Sequence, residues 1–268
     1  MRPSVVKAKL ARNEPILVTC LHLTDPSLYE MTSLMGYDAI WMDLEHHAYS
    51  VETANTLMRA ARVGTSDIMA RPAKGEFMRM SRLLEAGAQG IMYPRCESAA
   101  EAAEVVRWCK FHPLGTRGID GGNPDMPYCS MPLTDYLREA NEQTFVVVQI
   151  EDPGAVENVE EIARVPGVDI LFVGPADLSI LSGLAGQYDH PRMQASIERV
   201  AAAAKAAGKH WGMPCGSAEH AKKLMQMGAT YLAHGCDLLM VMQGMARVQQ
   251  EFAPLGFQFD NRISGVKI

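Results

Sequence analysis

Apolar residues recur along this chain in short β-rich runs separated by stretches of helical period. The runs lie near 16–22, 39–44, 67–71, 90–95, 145–151, 170–174, 210–215 and 231–236. Apolar runs this short, bounded by Gly, Pro and polar residues, read as buried parallel strands. Between them, apolar positions fall three and four apart. After His190, for example, Met193, Ile197, Val200, Ala201 and Ala204 share one face, and Gly208 follows as a stop. Asp25-Pro26 supplies an N-cap with a first-turn proline, and Ser98 with Glu101 forms a capping box. Gly36, Gly64, Gly87, Gly167, Gly208 and Gly228 each follow a helical stretch, where a residue tolerating positive φ is wanted before the chain turns into a strand. A short amphipathic segment near 3–12 is expected to be a helix that closes one end of the fold.

Eight strands alternating with helices in 268 residues predict an α/β fold, a (β/α)8 TIM barrel, as one domain over 1–268. A doubly wound open sheet is the alternative. It would be favoured by a glycine-rich phosphate fingerprint in the first βα turn, and Thr19 to Asp25 has none. One interval breaks the rhythm. Between the fourth and fifth strands, in 112–144, His112-Pro113-Leu114-Gly115 and Gly121-Gly122-Asn123-Pro124 mark a long loop, read either as a lid or as a subunit contact.

Composition narrows the setting. Hydrophobic content of 48% and charged content of 21% are those of an ordinary globular chain. A net charge of −6 leaves no basic footprint for nucleic acid or an anionic membrane. No apolar run approaches the roughly 20 residues that span a bilayer. The six cysteines are scattered, with no C-x-x-C pair, which argues against a zinc or disulfide framework. No secretory signal is expected from Met1 to Arg12. These features point to a soluble cytoplasmic protein.

In a barrel the working residues sit where strands end, because the βα loops there form the active face. The second strand ends in Asp43-Leu44-Glu45-His46-His47 and the third in Arg71-Pro72. The fifth ends in Gln149-Ile150-Glu151-Asp152 and the sixth in Gly174-Pro175-Ala176-Asp177. Glu151 and Asp177 are candidate metal ligands, since two carboxylates completed by water and substrate oxygens suit Mg²⁺ or Mn²⁺. Each could instead cap the helix that follows it. Arg71 is a fixed cation suited to an anionic substrate oxygen or an enolate, or else the partner of a rim acid. His46 is a candidate general base, and His47 reads as loop packing. His22 and His234 are lesser candidates for substrate contact. Lys74, after Pro72, reads as a surface residue.

With these residues laid out, the chain resembles the metal-dependent (class II) pyruvate aldolases of the 4-hydroxy-2-oxoheptanedioate aldolase type, relatives of the citrate lyase β-subunit. The motifs that carry the likeness are Asp43-x-Glu45-His46, Arg71-Pro72, Leu84-Glu85-x-Gly87, Pro113-x-Gly115-x-Arg117-Gly118, Gln149-Ile150-Glu151 and Gly174-Pro175-Ala176-Asp177-Leu178-Ser179. The resemblance implies a lyase that makes or breaks a C–C bond of a 4-hydroxy-2-oxo acid, giving pyruvate or hydroxypyruvate plus an aldehyde through an enolate. The alternative is a CoA-thioester lyase of the malyl or citramalyl type. The cofactor implied is a divalent cation (Mg²⁺, Mn²⁺ or Co²⁺) on Glu151 and Asp177, with no organic cofactor and no Schiff-base lysine. By matched position, Arg71 holds the keto oxygen, and His46 is the base with Glu85 as its orienting acid. Gln149 supports the substrate, Gly174, Pro175 and Ala176 take its carboxylate, and Pro214 lines the pocket. Glu85 stands where a close relative has Asp. Pro214 and Arg95 stand where relatives carry aliphatic or apolar residues. The partners implied are the small-molecule acid and aldehyde, and further copies of the chain in a homo-oligomer (hexamer or trimer). The C-terminal helix, with Leu238 to Met242 and Met245, would then pack on a neighbour.

Overall fold

The structure is a computed structural model that describes residues 1–263. Eight strands, β1 (Ile16–Leu21), β2 (Ala39–Asp43), β3 (Asp67–Arg71), β4 (Gly90–Tyr93), β5 (Phe145–Ile150), β6 (Ile170–Val173), β7 (His210–Pro214) and β8 (Tyr231–Cys236), pair in sequence order. Every pairing is parallel and β8 returns to β1, so the sheet closes into a barrel and the open-sheet alternative falls. The strands match the apolar runs to within two residues. Around and between them run α1 (Val5–Ala11), α2 (Pro26–Leu34), α3 (Val51–Ala60), α4 (Phe77–Ala86), α5 (Ala99–Cys109), α6 (Leu133–Gln143), α7 (Pro153–Glu157), α8 (Val159–Ala163), α9 (Pro175–Leu181), α10 (Pro191–Ala206), α11 (Ala218–Gln226) and α12 (Asp237–Phe252).

Strand residues alternate between two cores, as a pleated strand buried on both faces requires. Val18, Met69, Met92, Val147, Phe172 and Tyr231 fill the barrel interior. Ile40, Ile68, Val146, Val148 and Leu171 face the helices. The capping signals act as expected. Asp25 accepts from the Ser27 amide at 2.8 Å, and Ser98 accepts from the Glu101 amide at 3.2 Å. Of the six helix-end glycines, five have positive φ and Gly64 does not. Gly64 is extended (φ −111°), and a Cβ there would lie 2.3 Å from the Ser33 carbonyl carbon, so close approach excludes a side chain.

The helix over 3–12 does close the barrel floor. Val6 and Leu10 join the interior core. Its start is tied to β3 by the fully buried Asp67, which accepts from the Ser4 hydroxyl at 2.5 Å and the Val6 amide at 2.9 Å. The long loop packs on itself. Phe111, Met126, Tyr136 and Ala140 form a small core, and Asp125 accepts from Arg117 (2.6 Å) and Tyr136 (2.5 Å). At the other extreme, the one buried residue of α12 is Asp237, while Leu239, Val241, Met245 and Val248 are exposed.

Burial raises the Asp67 carboxyl from 3.8 to about 6, against the hydrogen bonds of Ser4 and Val6. A carboxyl raised by folding contributes most when protonated, below about pH 4, and that contribution is lost as pH climbs through its folded value. Relative to Asp67→Asn, the wild type should therefore lose about 3 kcal/mol of stability across this window. Denaturant midpoints of both proteins through the window test it, and a gap that stays constant with pH would refute it.

Candidate active site

The rim at the strand C-termini is organised by β2 and β3, whose last residues Asp43 and Arg71 are register partners. Paired positions on adjacent strands point the same way, so acid and guanidinium meet inside the barrel mouth. Arg71 donates from Nε to Asp43 Oδ1 at 3.0 Å and from Nη2 to Oδ2 at 2.7 Å. Its Nη1 donates to Gln149 Oε1 at 3.2 Å, and Glu45 lies 3.2 Å from Nε. The Trp41 ring, two residues back on the same strand face, lies against the guanidinium with 4.6 Å between them. Asp43 also accepts from the amides of Glu45 (3.0 Å) and His46 (3.4 Å), which turns the loop and sets both side chains at the rim. Burial works to raise the Asp43 carboxyl, but Arg71 and these amides outweigh it and hold it below the ordinary range.

Glu151 follows β5 and is buried. Its Oε1 accepts from the Arg95 amide at 2.8 Å and its Oε2 from Gln149 Nε2 at 3.1 Å. Arg95 reaches it with φ at 49°, a left-handed conformation that costs a non-glycine residue about 1 kcal/mol. Gly174 sits directly beneath the carboxylate. A Cβ there would stand 2.0 Å from Glu151 Oε2, so only glycine leaves room for it. Burial, with Asp177 adding repulsion, pushes Glu151 up to about 7.

Neither acid caps a helix. Asp152 does that for α7, and α9 has no side-chain N-cap although Asp177 lies in its first turn. Four carboxylates, Asp43, Glu45, Glu151 and Asp177, thus gather around one guanidinium already committed to Asp43. Burial raises Glu45 as well, with Asp43 and Asp177 contributing. Oxygen donors with a deficit of positive charge are what a hard divalent cation fits.

A cavity of about 650 Å³ opens over this rim. His46, Arg71, Gln149, Glu151, Gly174, Pro175, Ala176, Asp177 and Pro214 all line it, so the structure brings together the main sequence-derived site residues with one exception, while the lesser candidates His22 and His234 stay outside the lining. His46 is 62% exposed and lies 3.6 Å from Glu45. The exception is Glu85. It occupies the last turn of α4, and helices of a barrel run back from the active face. Glu85 is thereby carried away from His46 into an outer groove with Arg82, Asp120 and Asn123, so the proposed acid–histidine pair does not form within one chain. His47 packs on the His22 ring at 4.7 Å, and His22 is held by Asp237. His234 bonds the Cys215 carbonyl, and Lys74 bonds the Arg95 carbonyl and Glu97. No residue of the loop between 112 and 144 lines the cavity.

Sequence reasoning missed Trp41, Tyr188, Asp189, Met193, Gln194, Ile197 and His220 in the wall. Trp41 was accessible through the two-residue period leading to Asp43. The others come from the loop after α9 and from helices, which a search of strand ends does not reach.

A closed parallel barrel with acids, an arginine and a histidine converging on one cavity at the strand C-termini defines a barrel enzyme. The HpcH/HpaI aldolase/citrate lyase family model matches residues 18–244, and the chain belongs to that family. It is 35% identical over 238 residues to a hydroxypyruvate/pyruvate aldolase of Delftia acidovorans, covering 88% of each chain. It is 32% identical over 246 residues to a 4-hydroxy-2-oxo-heptane-1,7-dioate aldolase of Shigella sonnei, covering 92% of this chain and 94% of the other. A crystal structure of an HpcH/HpaI aldolase from Desulfitobacterium hafniense superposes with a TM-score of 0.87 at 28% identity, over 98% of this chain and 99% of that one. The protein is a carbon–carbon lyase of the class II aldolase type, of which a divalent cation is expected.

Gly174→Ala should displace the Glu151 carboxylate and lower aldolase activity by about 100-fold or more, with the circular dichroism of the fold retained. Full activity in that variant would remove Glu151 from the site.

Proposed function

We propose that the enzyme cleaves or forms the C3–C4 bond of a 4-hydroxy-2-oxo acid, with pyruvate or hydroxypyruvate as the 2-oxo acid and an aldehyde as the other product. Glu151 and Asp177 would hold the divalent ion, Mg²⁺, Mn²⁺ or Co²⁺. When bound, such an ion supplies positive charge where the enolate oxygen develops. Arg71, fixed by Asp43 and Trp41, offers a second, preorganised cation to the keto oxygen. Gln149 accepts from Arg71 and donates to Glu151, and so keeps the two halves of the donor site in register. The backbone from Gly174 to Ala176 would receive the substrate carboxylate. His46 takes the hydroxyl proton in cleavage and returns it to the nascent alkoxide in synthesis.

The observation that carries this reading is the charge deficit of the acid cluster, at the inner end of a cavity with room for both reactants. A CoA-thioester lyase would need cations for the CoA phosphates. Among the described residues lining the cavity, Arg71 is the one arginine and no lysine occurs.

The same reading takes the protein as a cytoplasmic homo-oligomer, trimer or hexamer. Its support is the apolar, uncovered α12, with Met245 at 64% exposure, together with Met31 and Leu34 exposed on α2 and Met35 exposed at its C-cap. All six cysteines are free, as a reducing compartment would leave them. Glu85 and His46, apart within one chain, would pair only between copies.

Exchange of the pyruvate methyl protons into D₂O, followed by NMR, tests the donor chemistry. It should require the cation, stop with EDTA, and fall about 100-fold or more in Arg71→Ala and in Asp177→Ala. Exchange that persists with EDTA would refute the metal role. Light scattering should give a multiple of 29.4 kDa, and Met245→Glu should shift the protein toward the single chain. A monomeric wild type would refute the assembly.

A further inference from the structure

Where the barrel closes, the ends of β1 and β8 carry a group of side chains that the aldol chemistry does not use. Cys20 lies in the last turn of residues of β1 and His22 follows the strand; Cys236 ends β8 and Asp237 opens α12. The two cysteines stand near opposite ends of the chain, so no spacing in the sequence marks them as a pair, and closure of the sheet brings them together. Val18 fills the barrel interior, and Cys20, two residues on, faces the same way. Val18 pairs with Ala233, yet Cys20 pairs with Cys236, so β8 uses three residues where β1 uses two. That bulge, with Gly235 at a φ of 75°, sets the second cysteine abreast of the first.

We propose that Cys20, His22 and Cys236 bind a thiophilic divalent cation, with Zn²⁺ the best match, and that Asp237 orients the histidine. The proposal is independent of the aldolase reading. Cys20 Sγ lies 3.6 Å from His22 Nε2. A tetrahedral Zn²⁺ sets a sulfur and a nitrogen ligand about 3.5 Å apart, so these two side chains already stand at ligand spacing. His22, Cys236 and Asp237 bring one ligand atom each within 4.8 Å of one another. Cys236 has a single side-chain torsion, and rotation about it turns the sulfur toward an ion held by its register partner. Asp237 is buried and fixed in place: it accepts from the amides of His22 (3.0 and 2.9 Å), Leu23 (2.7 Å) and Leu238 (2.9 Å). Its Oδ1 lies 3.0 Å from His22 Nδ1. A carboxylate on one ring nitrogen holds the proton there and leaves the other nitrogen free to ligate, as in carboxylate–histidine–zinc sites. Sulfur and imidazole donors select a softer ion than the carboxylates Glu151 and Asp177 do, so the two sites differ in the cation they take. Three protein ligands leave a fourth position for water or for His47, whose ring centre is 4.7 Å from that of His22.

The test uses the full-length protein, kept reduced, freed of metal with a chelator and returned to excess Mg²⁺. Zn²⁺ should bind at one ion per chain in equilibrium dialysis and raise the Tm. Co²⁺ in its place should give the visible bands of a tetrahedral ion and a thiolate-to-metal charge-transfer band in the near ultraviolet. Cys20→Ser, Cys236→Ser and His22→Ala should each weaken Zn²⁺ binding by about 100-fold and Asp237→Asn by about ten-fold, whereas Asp177→Ala should leave it unchanged. The wild-type Co²⁺ spectrum needs no variant to fold, and absence of the charge-transfer band from it overturns the proposal. So does Zn²⁺ affinity that survives both cysteine substitutions, or Zn²⁺ binding that is lost in Asp177→Ala.

Discussion

The ion pair between Asp43 and Arg71 is the constraint on which the mouth of this barrel depends. It joins two adjacent strands at their last paired residues, and it is buried, with Trp41 closing one side of the guanidinium. Pairs of this kind contribute position more dependably than stability, because the desolvation of both charges offsets much of their attraction. Position is what the rest of the site draws on. Asp43 also folds the loop that carries Glu45 and His46, and Arg71 orients Gln149, which in turn holds Glu151. Because Arg71 is shared between Asp43 and Glu45, Glu151 and Asp177 have no ion-pair partner of their own among the described residues, and the cluster keeps a surplus of negative charge.

The two ends of the barrel divide the labour. At the floor, Asp67 and Ser4 fasten the closing helix, and the polar groups there face one another. At the mouth, polar groups face a cavity, and backbone strain appears at Arg95 in the service of one carboxylate. Strain of this kind persists where surrounding structure over-determines it, and here the neighbouring strands β4 and β5 do so.

How much of this was legible in the sequence follows from how each feature is encoded. Strands and their order were readable because both strand faces are buried, so each strand is a continuous apolar run bounded by turn residues. The rim residues were readable because the fold assigns function to strand ends, which needs only the strand boundaries. Glu85 was carried over by likeness, and strand-end logic does not reach it: its place near the end of α4 puts it on the helix side of the barrel, away from His46 of the same chain. Gly64 followed a helix like its counterparts, yet its reason is the Ser33 backbone against it and not its φ. The outer wall was invisible for a different reason. Tyr188, Asp189 and Gln194 reach the cavity through a loop whose path depends on tertiary packing, and no local pattern marks it. Apolar periodicity in α12 could not distinguish a helix covered by its own barrel from one left bare, and the described structure leaves it bare.

The contact between Trp41 and Arg71 carries an optical consequence. The chain has three tryptophans, and of these Trp41 alone lines the cavity. A guanidinium against an indole ring perturbs its excited state, and so does the Phe172 edge 5.7 Å away. Any molecule that draws Arg71 toward itself alters the surroundings of that indole and leaves Trp108 and Trp211 as they were. Of the three indoles, the one at the cavity mouth is therefore the one whose emission would follow occupancy of this end of the cavity, with no attached dye.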